Sequence, residues 1–155
     1  MKKLIAYFSP SGNTKAMAEK LAKATGADLF EIKPQTPYTR ADLDWTNKNS
    51  RSSVEMNDKS YRPQIAQLPN SLANYDTIFI GFPIWWYVAP TIINTFVENV
   101  DLDGKKVIPF ATSGGSGMGK TLANLKPSCP GANWVEGKVI NGMSETALAD
   151  WAEKL

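Results

Sequence analysis

The sequence predicts an α/β fold in one domain: an open parallel sheet of five strands with helices on both faces. Two observations carry this. Five short apolar runs rich in β-forming residues alternate along the chain with amphipathic helical patterns, the signature of a parallel sheet built by right-handed crossovers. The runs are apolar throughout rather than alternating, as strands covered on both faces are. The 155 residues contain no repeat and no linker, so residues 1–155 are read as a single unit.

Each element has a local reason. Residues 3–8 form the first buried strand. From Thr14 to Ala24, Met17, Leu21 and Ala24 recur at helical spacing, and Gly26 is a fitting stop. Asp28 to Lys33 reads as the second strand, ended by Pro34 and Pro37. Residues 35–63 are a polar excursion holding Tyr38, Trp45, Met56 and Tyr61. A connection of this length is either functional or a solvated loop with a helical turn in it. Its aromatics follow no core period, so it is expected to govern access to a site rather than to hold the fold.

Ile65 to Ala73 reads as a short helix and Thr77 to Gly81 as the third strand. A helix with Ile93, Phe96, Val97 and Val100 on one face covers Pro90 to Val100. The fourth strand spans Lys106 to Thr112, a helix opens at Thr121 to Leu125, the fifth strand runs from Trp134 to Ile140, and Glu145 to Leu155 form a closing helix.

Composition narrows the chemistry. No apolar run approaches the roughly 20 residues of a membrane span, and the basic N-terminus is interrupted too early for a signal peptide. The single Cys129 rules out an internal disulfide, so the chain is expected to be cytoplasmic. Cys129 itself, between Ser128 and Pro130, reads as structural. There is no histidine, which removes the commonest general base and metal ligand. No catalytic side chain and no metal site are therefore assigned, and any catalysis is expected to run through a cofactor. The net charge is +2 with basic residues scattered, which gives nucleic-acid binding no support.

Ligands of an open parallel sheet bind outside the carboxyl ends of its strands. Three loops lie there, and all three are unusual. After the first strand, Ser9, Ser11, Gly12, Asn13 and Thr14 pack three hydroxyls, an amide and a glycine into six residues at the start of a helix. Helix starts carry free N–H groups and partial positive charge, so this loop reads as a phosphate site. The alternative is an ordinary turn with Thr14 as N-cap. After the third strand, Pro83 and Ile84 lead into Trp85, Trp86 and Tyr87, with Pro90 beyond. Three aromatics in a proline-bounded loop suit stacking on a flat ring, or else a hydrophobic plug or interface patch. No glycine lies between Ile84 and Ala89, so this loop is expected to be stiff.

After the fourth strand, residues 113–119 hold four glycines in seven, letting backbone N–H groups approach a ligand closely. Gly114 and Gly119 with Lys120-Thr121 also fit G-x-x-x-x-G-K-[ST]. That loop follows the fourth strand, and the first loop is the better-formed phosphate site, so nucleotide hydrolysis is the minor reading.

Ser9-x-Ser11-Gly12-Asn13-Thr14, Gly81-x-Pro83-Ile84-Trp85-Trp86 and Thr112-Ser113-Gly114-Gly115, each after its strand, resemble the flavodoxin family, and most closely its short-chain FMN oxidoreductase branch. The resemblance covers essentially the whole chain. It implies a three-layer sandwich with strand order 2-1-3-4-5 and FMN as cofactor. Ser9, Ser11, Gly12, Asn13 and Thr14 would hold the FMN phosphate; Pro83, Ile84, Trp85 and Trp86 would flank the isoalloxazine; Ser113, Gly114 and Gly115 would approach its pyrimidine edge. Flavodoxin electron carriers are strongly acidic, which steers them onto basic partners. The charge of +2 and the long excursion turn the expectation toward an enzyme that moves electrons from NAD(P)H to a quinone or similar small acceptor. The alternatives are a carrier between redox protein partners and a cofactor-binding module without turnover. A homodimer is compatible with all three.

Overall fold

The computed structural model describes residues 2–155. β1 (Lys2–Tyr7), α1 (Asn13–Thr25), β2 (Asp28–Glu31), α2 (Arg51–Met56), β3 (Tyr75–Pro83), α3 (Thr91–Asn99), β4 (Lys106–Thr112), α4 (Thr121–Leu125), β5 (Asn133–Trp134), β6 (Lys138–Val139) and α5 (Glu145–Glu153) follow in chain order. The strands are parallel in the order β2-β1-β3-β4-β5, with β6 also on β4. This is the 2-1-3-4-5 order, and the switch point between β1 and β3 is where such sheets bind ligands.

Alternate residues of the inner strands feed two separate cores. Ile5, Phe79, Ile108 and Phe110 pack with Met17, Ala18 and Leu21 of α1 and Leu148 of α5. Leu4, Ile78, Ile80 and Phe82 pack with Ile92, Ile93, Phe96 and Val97 of α3. The period of two in the strands thus explains the three layers. No helix among the described residues is long and apolar enough to cross a membrane.

Two expectations need correction. The fifth strand is not continuous: β5 and β6 are separate, and the break from Val135 to Gly137 lies beside Pro109 of β4. Proline has no N–H to give a neighbouring strand. At the break the backbones close in, and a Cβ on Gly137 would sit 1.5 Å from the Pro109 carbonyl oxygen. Residues 65–73 are not helical. Ile65 bridges antiparallel to Pro34, and Ala66 donates its N–H to the Lys33 carbonyl at 2.8 Å. Pairing with the segment after β2 outweighs the weak helical pattern.

The excursion is ordered and partly structural. Ser50 caps α2 by accepting the Ser53 N–H, as expected of a serine at that position. Tyr38 packs against the α3-side core, whereas Trp45 and Tyr61 are exposed.

Candidate functional site

A cavity of about 530 Å³ opens at the carboxyl edge of the sheet, within the usual range for small-molecule sites. Its wall joins all three loops: Ser11 and Asn13, then Pro83, Ile84, Trp85 and Trp86, then Ser113 and Gly114. Ser9, Gly12, Thr14 and Gly115 do not line it. Leu43, Trp45, Ser52, Tyr87, Thr112, Ser116 and Asn141 do; of these, Leu43, Ser52 and Asn141 were not singled out by the sequence. The excursion therefore adds Leu43, Trp45 and Ser52 to the cavity wall as a partial roof.

The first loop ends on Gly12, the residue before α1, which offers no side-chain cap. Thr14 is not the N-cap but a buried residue of the first turn. Its hydroxyl hydrogen-bonds Thr112 Oγ1 at 2.7 Å, tying α1 to the end of β4. Ser9 Oγ accepts the Lys15 N–H at 2.9 Å. The backbone N–H groups of Ser11 to Thr14 and the side chains of Ser11 and Asn13 have no hydrogen-bond partner among the described residues. Donors gathered at a helix start, with no acceptor of their own, suit an anion.

The aromatic loop is a tight turn. Trp85 and Val88 exchange backbone hydrogen bonds, at 2.9 Å and 3.2 Å, around Trp86 (φ 49°) and Tyr87 (φ 68°). Two left-handed residues define a type I′ turn, which usually takes Asn-Gly. Left-handed backbone at non-glycine residues costs about 1–3 kcal/mol and persists where neighbours hold it. Here Lys120 donates its N–H to the Tyr87 carbonyl at 3.1 Å. Gly119 lies so close that a Cβ would come 2.2 Å from that oxygen. The loop is a left-handed turn clamped by Gly119 and Lys120. Trp85 is half-buried, while Trp86 and Tyr87 are 44% and 67% exposed.

Trp85 is fixed from below by an aromatic cluster. Phe8, Tyr38 and Trp85 meet edge to face with ring centroids 5.5–5.8 Å apart, the arrangement ring quadrupoles favour. The Tyr38 hydroxyl donates to Glu55 Oε1 at 2.5 Å, Arg51 Nε donates to Glu55 Oε2 at 3.0 Å, and the guanidinium lies 3.7 Å from the Tyr38 ring centre. Burial, and then the bond to Glu55, push the Tyr38 phenol well above its ordinary range. The excursion is thereby latched to the wall of the cavity.

The third loop is set by side chains. Ser113 Oγ accepts the N–H groups of Gly115 and Ser116 at 3.2 Å and 2.9 Å. Asn141 brackets Ser113, accepting its N–H and donating to its carbonyl, each at 2.9 Å. The Gly115 N–H is thus occupied, while Gly114 faces the cavity. The G-x-x-x-x-G-K-[ST] fit is not a phosphate wrap: Gly114 borders this cavity, Gly119 and Lys120 border a different cleft, and the Thr121 hydroxyl is spent on the Met118 carbonyl at 2.6 Å.

Cys129 stands apart from the cavity, half-buried. Burial is the main cause that raises its thiol above the ordinary range, with Asp103 and Asp101 adding to it. Alkylation by iodoacetamide at neutral pH is expected to be several-fold slower in the folded protein than in urea. Equal rates would show an activated thiol instead.

A flavoprotein of Lactobacillus acidophilus, solved in complex with FMN, is 28% identical; the match covers 97% of this chain and 98% of that one, with a TM-score of 0.71. A protein of Bacteroides eggerthii, provisionally described as a flavoprotein, is 53% identical over 99% of this chain and 96% of that one, with a TM-score of 0.95. YcaK of Escherichia coli, named an uncharacterized NAD(P)H oxidoreductase, is 30% identical over 98 residues, 63% of this chain. That alignment spans 45% of the length of YcaK. The flavodoxin family model matches residues 2–155. The match runs through every strand of the sheet and all three edge loops: this chain belongs to the flavodoxin family.

Proposed function

We propose that this protein is an FMN oxidoreductase that takes electrons from NAD(P)H and passes them to a quinone or similar small acceptor. The donor set fits FMN. The unpartnered amides of Ser11 to Thr14 and the side chains of Ser11 and Asn13 would hold the phosphate. Pro83, Ile84, Trp85 and Trp86 would flank the ring system, and Gly114 would offer its N–H at the polar edge. When bound, FMN supplies reversible two-electron chemistry.

The protein's own part is to bind, orient and partly shield. Among the described residues the cavity wall carries no carboxylate, ammonium, guanidinium or imidazole, so it offers redox chemistry a neutral frame and little acid–base assistance. The observation that carries the reading is the partial roof. Leu43, Trp45 and Ser52 of the excursion join the wall of the cavity, on an edge that an electron carrier would leave free for protein docking. The L. acidophilus flavoprotein supports the cofactor, and the name of YcaK supports the pyridine nucleotide.

The test is anaerobic stopped-flow mixing of the FMN-loaded protein with NADH or NADPH. Rapid loss of the oxidised flavin absorbance with either nucleotide, restored by a quinone, is the expected result. A flavin that photoreduces normally but is untouched by both nucleotides would overturn the reading in favour of a carrier between proteins.

A further inference from the structure

A second cleft, of about 830 Å³, lies across the aromatic turn from the flavin cavity. The two spaces share a wall, since Trp86 and Tyr87 line both. They also share the excursion: Ser52 of α2 borders the first and Met56 the second. The function of the flavin cavity uses none of the remaining residues of this cleft.

Its chemistry is that of a site for a phosphorylated aromatic molecule. Lys59 and Lys120 line it, and neither forms an ion pair among the described residues. The cleft's carboxylate, Glu98, is already neutralised by Arg62, whose Nε and Nη2 reach its two oxygens at 2.7 Å and 3.1 Å. The surplus charge is therefore positive. Ala89, Ala123 and Pro127 supply apolar wall.

One side of α3 also runs along the cleft, through Thr91, Asn94 and Glu98. Thr91, its first residue, lines the cleft and is 6% exposed. Its hydroxyl is buried with no hydrogen-bond partner among the described residues. Such a group costs stability unless something pairs with it. An orphan hydroxyl in the wall and two cations without ion-pair partners together mark an anion position.

We propose that this cleft holds the adenosine diphosphate portion of the reduced pyridine nucleotide, while the nicotinamide reaches over the Trp86–Tyr87 turn into the flavin cavity. The proposal rests on the oxidoreductase reading given above. A dinucleotide cannot share a cavity of about 530 Å³ with FMN, so its far half needs a separate surface beside the flavin. This cleft has the position, the charge and a volume suited to it.

The direct test is calorimetric titration of the FMN-loaded protein with ADP-ribose, which has the adenosine diphosphate but no nicotinamide and cannot reduce flavin. ADP-ribose is expected to bind, and Lys120→Glu to raise its Kd about tenfold. Thr91→Val removes the orphan hydroxyl without changing shape. It is expected to weaken ADP-ribose several-fold while leaving Tm unchanged or higher, which separates binding from folding. In the unmodified protein, ADP-ribose should compete with NADPH for flavin reduction but not with N-benzyl-1,4-dihydronicotinamide, which has no such tail.

Absence of ADP-ribose binding, or binding indifferent to both substitutions, would overturn the site even if NADPH reduces the flavin. Failure of every dihydronicotinamide to reduce the flavin would overturn the oxidoreductase reading, a result the titration tells apart from failure of the cleft.

Discussion

FMN is expected to bind this protein at least about a hundredfold more tightly than riboflavin, because the phosphate meets donors that have nothing else to bond. Charge-assisted hydrogen bonds contribute about 1.5–3 kcal/mol each, so two of them give a factor of roughly a hundred or more. The structure changes which residues should be tested. Ser9 and Thr14 are spent, on the Lys15 N–H and on Thr112. Ser11 and Asn13 line the cavity with free side chains. Ser11→Ala with Asn13→Ala should therefore lower FMN affinity about ten- to hundredfold and leave riboflavin affinity unchanged. Thr14→Ala should act on stability, since it leaves the Thr112 hydroxyl buried and unpaired, at about 1–3 kcal/mol. Fluorescence titration of the apoprotein with both flavins measures the difference. Equal affinities would remove the phosphate assignment from this loop.

The latch under the excursion is expected to control the roof. Glu55 is 2% exposed and joins Tyr38 to Arg51. Removing one partner of a buried charge pair costs about 3–5 kcal/mol. Arg51 keeps some contact with water, its side chain being 23% exposed, so about 3 kcal/mol is the appropriate figure for Glu55→Ala. That loss falls on the opening of residues 35–63 and not on the sheet, whose two cores lie mainly in the strands and in α1, α3 and α5. Amide exchange in the segment should accelerate about a hundredfold while β1, β3 and β4 keep their protection. FMN affinity should fall as Leu43, Trp45 and Ser52 leave the cavity. Tyr38→Phe keeps the aromatic contacts with Phe8 and Trp85 and should be milder. Unchanged exchange in residues 35–63 of Glu55→Ala would show that the roof is held by something else.

The sequence by itself determined the layer architecture, because the periods that specify it are local. Continuous apolar runs at Leu4–Phe8, Thr77–Phe82 and Lys106–Thr112 can be satisfied only when both faces of the sheet are covered. It also pointed to the sheet edge where the cavity opens, since a hydroxyl-rich helix start, a proline-bounded aromatic run and a glycine-rich turn each follow a strand at its carboxyl end. The limits of that reading are equally physical. Thr14 and Asn13 are neighbours of similar polarity. Only the approach of Thr112, across 98 positions of sequence, turns one inward and leaves the other to the cavity.

Leu43, Ser52 and Asn141 carry no local signal, and Trp45 only that of an aromatic in a polar excursion. They reach the cavity because Tyr38, Glu55 and Arg51 fold the excursion back, and because Asn141 brackets Ser113 from beyond the last strand. The break between β5 and β6 depends on Pro109 in the adjacent strand, and the left-handed Trp86–Tyr87 turn on the clamp from Gly119 and Lys120. Local periodicity specifies which segments form strands and helices. The pairing of polar groups far apart in the chain is decided only when those segments pack.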